Sequence, residues 1–187
     1  MDNVFVYLCG PPGVGKYTVG KLLAEQMPAR LVDNHYWNNP IFEIVEADGK
    51  TPLPAAVWDR ANSVRLAVLE TIATMAPPKR NFVFTHAISR SGGQPMDFAI
   101  AGQILSTAER RKARTLVVRL TCAAAELAER IESPGRAERL KQIDGGRAEQ
   151  YAHQDPIQLN HDWVIDIDTT QSSATETTQQ VMQALGR

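Results

Sequence analysis

The chain opens on a run that is apolar at nearly every position, Val4 to Cys9, cut off by Gly10-Pro11-Pro12-Gly13. Continuous rather than alternating apolar residues predict a strand covered on both faces, as in a parallel sheet. Helical spacing then runs from Gly15 through Val19, Leu22, Leu23 and Met27 and stops before Pro28. Further strands are predicted at 29–33, 81–86, 115–121 and 163–167. Helical patterns occupy 55–75, 96–111 and 123–132, and a last one spans 172–185 with Ser and Thr available as caps. The stretch from Tyr36 to Pro54 is weaker: Ile41, Phe42, Ile44 and Val45 predict a turn or two of helix before Asp48-Gly49-Lys50 turns the chain. Residues 133–162, rich in charge with Gly and Pro, read as a partly helical excursion. Strands alternating with helices imply an α/β fold, a parallel sheet with helices on both faces. With no internal repeat and no linker, residues 1–187 read as one domain.

Composition narrows the function classes. Hydrophobic residues at 43% and charged residues at 22% describe a globular chain, and a net charge of −1 gives no reason to expect nucleic acid or an anionic membrane as partner. Two cysteines, Cys9 and Cys122, make no disulfide framework. No apolar run is long enough to span a membrane, and the first residues lack the basic and apolar regions of a signal peptide, so the expected location is cytoplasmic.

The chemistry concentrates in Gly10-Pro-Pro-Gly13-Val14-Gly15-Lys16-Tyr17-Thr18. Set between a strand and a helix, this is a phosphate cradle. The glycines let backbone N–H groups close around phosphate oxygens, the helix adds its positive end, and Lys16 brings a mobile cation. One position departs from the pattern: the residue after the lysine, normally a Ser or Thr that ligates Mg²⁺, is Tyr17. Its hydroxyl is carried much further from the backbone, and Thr18, about 100° round the helix, does not simply replace it.

The cradle over residues 10–18 resembles that of the small P-loop kinases, the group of shikimate kinase, gluconate kinase, adenylate kinase and chloramphenicol phosphotransferase. The order of elements is similar over nearly the whole chain. The resemblance implies a three-layer P-loop NTPase fold with five parallel strands ordered 2-3-1-4-5, and a lid over the nucleotide at about 132–150. It implies ATP as cofactor with Mg²⁺, the ion being in question because of Tyr17, and a small-molecule acceptor as partner. Asp33, at the end of strand 2, falls where such kinases carry an aspartate that orients or deprotonates the acceptor hydroxyl, although a turn aspartate is an ordinary feature after a strand. His35 lies beside it. His86 and Arg90 fall where adenylate kinase-like members carry an acid and a phosphate-binding arginine. Arg130 at the lid's base and Arg139 within it, together with Arg136, Lys141 and Arg147, stand where the family clamps the transferring phosphoryl group.

The expectation is therefore a kinase passing the ATP γ-phosphate to an acceptor hydroxyl. Lys16, Asp33, Arg130 and Arg139 are its candidate catalytic groups, residues 10 and 13–18 bind nucleotide, and Asp33, His35, His86 and Arg90 bind acceptor. A nucleotide-binding protein without efficient transfer, serving as sensor or assembly partner, and a nucleoside monophosphate kinase are the alternatives. His35, His86 and Asp33 lack the tight spacing of a zinc site. Trp37 and Trp58 are open to two readings, walls of the acceptor pocket or, as is commoner for large aromatics, core and helix-packing residues, and Cys9 and Cys122 read as neighbouring buried thiols at the ends of adjacent strands.

Overall fold

The computed structural model of the chain describes residues 1–88, 95–133, 145–152 and 157–186. Five parallel strands form one sheet: β1 (Val4–Gly10), β2 (Ala29–Asp33), β3 (Asn81–Ala87), β4 (Arg114–Thr121) and β5 (Val164–Asp168). Their order is β2-β3-β1-β4-β5, with every pairing parallel. The connections carry α1 (Lys16–Gln26), α2 (His35–Phe42), α3 (Ala55–Thr74), α4 (Pro95–Arg110), α5 (Ala124–Ile131), a 3₁₀ turn over Gly145–Arg147 with α6 (Ala148–Ala152), and α7 (Ala174–Leu185). No helix among the described residues is long and apolar enough to cross a membrane.

The unbroken apolar run of β1 has a direct structural meaning. Alternate residues point to opposite faces of the central strand, and both faces are covered. Val4, Val6 and Leu8 join a core with Val19 and Leu23 of α1, Leu127 and Ile131 of α5, and Val181 and Leu185 of α7. Phe5, Tyr7 and Cys9 join the second core with Leu69 and Ile72 of α3 and Ile100 and Ile104 of α4. The three-layer arrangement expected from the alternating pattern is thus present, in the expected strand order.

Two local expectations change. α2 begins at His35, well before Ile41, and contains Pro40 in its interior, the feature that breaks the helical pattern when read along the sequence. Ile44 and Val45 lie beyond it and are exposed. The cysteines also differ from expectation. β1 and β4 are neighbours, but Cys9 pairs in register with Arg119, three residues before Cys122, and the two thiols belong to different cores. An odd offset along a strand reverses the face, so adjacent strands do not bring these thiols together. At the start of α7 the expected cap is found: Ser173 and Glu176 form a reciprocal capping box.

At the opposite edge from the cradle, buried Asn81 fastens three chain segments. Its Oδ1 accepts from Val4 N at 2.9 Å, while Nδ2 donates to Met1 O at 2.9 Å and Met27 O at 2.8 Å. Asn81→Ala leaves buried backbone groups unpaired and is expected to cost about 2–4 kcal/mol in urea unfolding. A loss below about 0.5 kcal/mol would mean that water replaces the carboxamide without penalty.

Candidate active site

β1 ends at Gly10, and the geometry there explains the residue. Gly10 has φ +147°, and a Cβ on it would stand 2.3 Å from the Leu120 carbonyl oxygen of neighbouring β4. Gly13, at φ +93°, leaves 2.9 Å between such a Cβ and Ile131 Cγ1. The loop therefore packs backbone-first against β4 and α5 on its way to the start of α1. Lys16, 8% exposed, lies back over this loop: Nζ donates to Gly10 O at 2.8 Å and Pro11 O at 2.7 Å. Its ammonium is held at the cradle rather than in solvent.

The second component comes from β2 and β3. Asp33 ends β2 at 2% exposure. Its Oδ1 accepts from His35 N at 3.0 Å and its Oδ2 from Thr85 Oγ1 at 2.8 Å, which fixes the carboxylate plane at the carboxyl edge of the sheet. α2 starts immediately afterwards, so Asn34, His35 and Asn38 fall on the side facing the cradle. His35 Nδ1 donates to Asn39 Oδ1 at 2.9 Å, which fixes the ring. Trp58, in the first turn of α3, faces the same space and packs perpendicular to Phe42 with centroids 5.2 Å apart.

These residues line one cleft of about 670 Å³. Of the expected site residues it brings together Gly13, Val14, Gly15, Lys16, Tyr17, Thr18, Asp33, His35 and Arg130, with Gly10 at the base of the loop. Arg130 stands toward β5, where its guanidinium donates to Glu126 Oε1 at 2.7 Å, Thr169 Oγ1 at 3.2 Å and Thr169 O at 2.9 Å. Thr169 in turn donates to Val14 O at 3.3 Å, joining that side to the loop. Asn38, Thr85 and Thr177 also line the cleft without having been candidates, and so does Trp58, for which packing was the preferred reading; Ser172, Ser173 and Ala174, in the segment that resembles the adenine-side wall of the family, line it too. The spacing of Asn34, His35 and Asn38 is helical, but it becomes a signal only once α2 is known to start at residue 35.

His86 is placed elsewhere. Along β3 Thr85 faces the cleft while His86 turns to the opposite layer, buried, beside α4. Its Nδ1 is hydrogen-bonded with the Tyr7 hydroxyl at 2.8 Å, and Nε2 faces Asp97 Oδ1 across 3.8 Å. Burial holds the imidazole below its ordinary pKa, Asp97 opposes that shift, and Lys16 and Arg65 add to it. Burial likewise raises Tyr7 and pushes the Cys9 thiol up to about 12. Arg90, Arg136, Arg139 and Lys141, and with them most of the expected lid, lie outside the described residues; Arg147 sits in the 3₁₀ turn before α6.

Solved structures share this fold over nearly their whole length. A Chloroflexus aurantiacus protein designated a kinase is 16% identical with a TM-score of 0.69, over 100% of this chain and 98% of that one. A gluconokinase from Sinorhizobium meliloti is 15% identical with a TM-score of 0.66, over 99% and 93%. The APS kinase of Mycobacterium tuberculosis, solved with AMPPNP and APS, is 17% identical with a TM-score of 0.57, over 100% and 99%. The fold is that of the small P-loop kinases. No protein-family model and no curated protein sequence matches the chain.

Within the P-loop kinase fold, a nucleotide's phosphates fit the residues present: a glycine turn with no room for a Cβ at Gly10, an ammonium at its rim, and a helix mouth behind it. Mg²⁺ fits less completely. Tyr17 packs against the core that α1 shares with α7, and no group of three or more His, Cys, Asp or Glu able to hold a metal occurs among the described residues. An ion here would draw on the phosphates, water and the single carboxylate of Asp33.

The His86 environment generates a pH prediction. Its folded pKa is depressed, so the unfolded chain takes up a proton first as pH falls below about 6.5. Stability is full above that value and is lost as pH drops toward the folded pKa. Thermal midpoints between pH 7.5 and 5 should fall more steeply for the parent than for His86→Gln; parallel slopes would mean that the buried imidazole does not contribute.

Proposed function

We propose that this protein is an ATP-dependent kinase that phosphorylates a hydroxyl of a small molecule. The observation that carries the reading is the meeting, in one cleft, of the residue 10–18 cradle and the buried, doubly hydrogen-bonded carboxylate of Asp33. ATP would supply the phosphoryl group, held by the loop and Lys16, and any Mg²⁺ carried by its phosphates, water and Asp33 would offset the charge. The chain's own part is positioning and electrostatics. The loop N–H groups hold the phosphate chain. Lys16 exchanges its carbonyl partners for phosphate oxygens. Asp33 accepts the acceptor's O–H in a hydrogen bond and takes its proton as the new O–P bond forms and the bond from the γ-phosphorus to the bridging oxygen breaks, releasing ADP. Arg130, beside the loop and β5, holds the nucleotide from the other side. The neighbours whose names specify kinases support this reading through their shared fold.

A second reading, nucleotide binding without efficient transfer, is favoured by Tyr17, which stands where the magnesium-ligating hydroxyl is usual. The two diverge at Asp33. Asp33→Asn should lower kcat at least a hundredfold while nucleotide affinity stays within about threefold, read by ADP release and by calorimetry. Equal loss of both would make Asp33 a structural residue.

Binding itself is tested by thermal unfolding with ATP, with and without Mg²⁺. Ligand at about 100 times its Kd should raise the midpoint by roughly 5–10 °C in a domain of this size. Lys16→Ala should abolish most of that shift, and absence of any shift in the parent would remove the nucleotide reading altogether. A shift that Mg²⁺ does not enlarge would favour binding without transfer.

A further inference from the structure

Thr169 follows directly on β5 and is 2% exposed. Its hydroxyl has a single proton to give, and two carbonyl oxygens lie within reach of it: Thr121 O of β4 at 3.0 Å and Val14 O of the glycine loop at 3.3 Å. The Thr169 amide also donates to Thr121 O, at 2.9 Å, so β4 keeps a donor when the hydroxyl serves Val14. Arg130 closes the arrangement from α5. Its Nη1 donates to the Thr169 hydroxyl oxygen at 3.2 Å and its Nη2 to Thr169 O at 2.9 Å, while Nε donates to Glu126 at 2.7 Å.

The bond to Val14 O fixes the direction of the next amide. In a trans peptide the C=O and the following N–H point in opposite directions, and no cis bond occurs among the described residues. Holding the Val14 carbonyl toward Thr169 therefore turns the Gly15 N–H away from β5. That N–H makes no hydrogen bond among the described residues, and Gly15 lines the cleft. The guanidinium of Arg130 likewise has more N–H groups than its bonds to Glu126 and Thr169 use, and its side chain is 27% exposed on the same cleft. An unspent backbone donor and an unspent cationic donor on one wall suit an anion that spans both.

We infer that Thr169 is a positioning residue for the nucleotide's phosphate chain. It acts through two groups at once, presenting the Gly15 N–H to a phosphate oxygen and aiming the Arg130 guanidinium at the same anion. The hydroxyl carries this role, because the backbone amide and carbonyl of residue 169 are present whatever the side chain. The inference rests on the nucleotide binding put forward above and not on phosphoryl transfer.

The test compares the full chain with Thr169→Val, which keeps the shape without the hydroxyl, and with Thr169→Ser, which keeps the hydroxyl without the methyl. Calorimetry gives Kd values for ADP and for inorganic tripolyphosphate, a phosphate chain without a base. Thr169→Val should weaken both about tenfold or more, and Thr169→Ser should stay within about threefold of the parent. Thermal midpoints without ligand show that each variant is folded; a purely structural threonine would lower that midpoint and leave both Kd values alone. The Gly15 amide proton, followed by NMR, should move downfield when ADP binds the parent. That signal needs no variant, so an amide that ADP leaves unmoved overturns the inference even if Thr169→Val does not fold. Kd values in Thr169→Val equal to the parent's, weakening for ADP alone, a loss in Thr169→Ser as large as in Thr169→Val, or a parent that binds neither ligand would each overturn it as well. The expected Kd pattern in a protein that releases no ADP from ATP with any hydroxyl acceptor would sink the kinase reading and leave the positioning role standing.

Discussion

The end of β1 cannot carry a side chain. At Gly10 the strand passes so close to the Leu120 carbonyl of β4 that any Cβ would overlap it, and the backbone turns there through a φ that other residues rarely adopt. The close approach lets the loop close over Lys16 and start α1 directly at the sheet edge. The first turn of α1 thereby presents its positive end to the space above the central strand. Gly13, hemmed in by Ile131 and Leu127 of α5, extends the same constraint to the next helix in the layer. Moving either glycine position outward would displace the cradle from the sheet that supports it.

The parallel sheet does the rest by sending the carboxyl ends of all its strands to one edge. With β1 in the middle, connections leave toward β3 and β2 on one side and β4 and β5 on the other, the switch point at which open α/β sheets bind ligands. Asp33 and Thr85 arrive from one side and Thr169 from the other, so carboxylate, cradle and guanidinium meet without any long-range device beyond strand order. Within β3 the period of two then divides adjacent residues between roles: Thr85 supports Asp33 in the cleft, whereas His86 closes a hydrogen bond with Tyr7 in the opposite core.

Most of the buried polar side chains are paired. Asp33, Asn81 and His86 each have hydrogen-bonding partners at short range, whereas Asn3 Oδ1 and Arg111 Nε are sealed without one. Arg65, 3% exposed in α3, is met by Asn62, by Gln103 at 3.1 Å and by the Met96 sulfur; burial lowers its pKa to about 10, which still leaves it charged at neutral pH.

Sequence alone was enough for the sheet and the cradle because both are local signals. The apolar run of β1 encodes burial on two faces, the glycine spacing encodes the phosphate turn, and Ser173 with Glu176 encodes a cap within four residues. The start of α2 was hidden by Pro40, and with it went the helical face shared by His35 and Asn38. Trp58 was left between two readings, pocket wall and packing: an aromatic in a helix is decided only by its surroundings, and those come from Phe42 on another element. The same holds for the face that His86 takes and for the separation of Cys9 from Cys122. Each turns on register between strands distant in sequence, where a shift of one residue reverses the side chain's direction. Short-range spacing determined which elements form and where the glycine loop lies. Only the packing of those elements against one another decided which side chains share the end of the cleft bounded by α2 and α3.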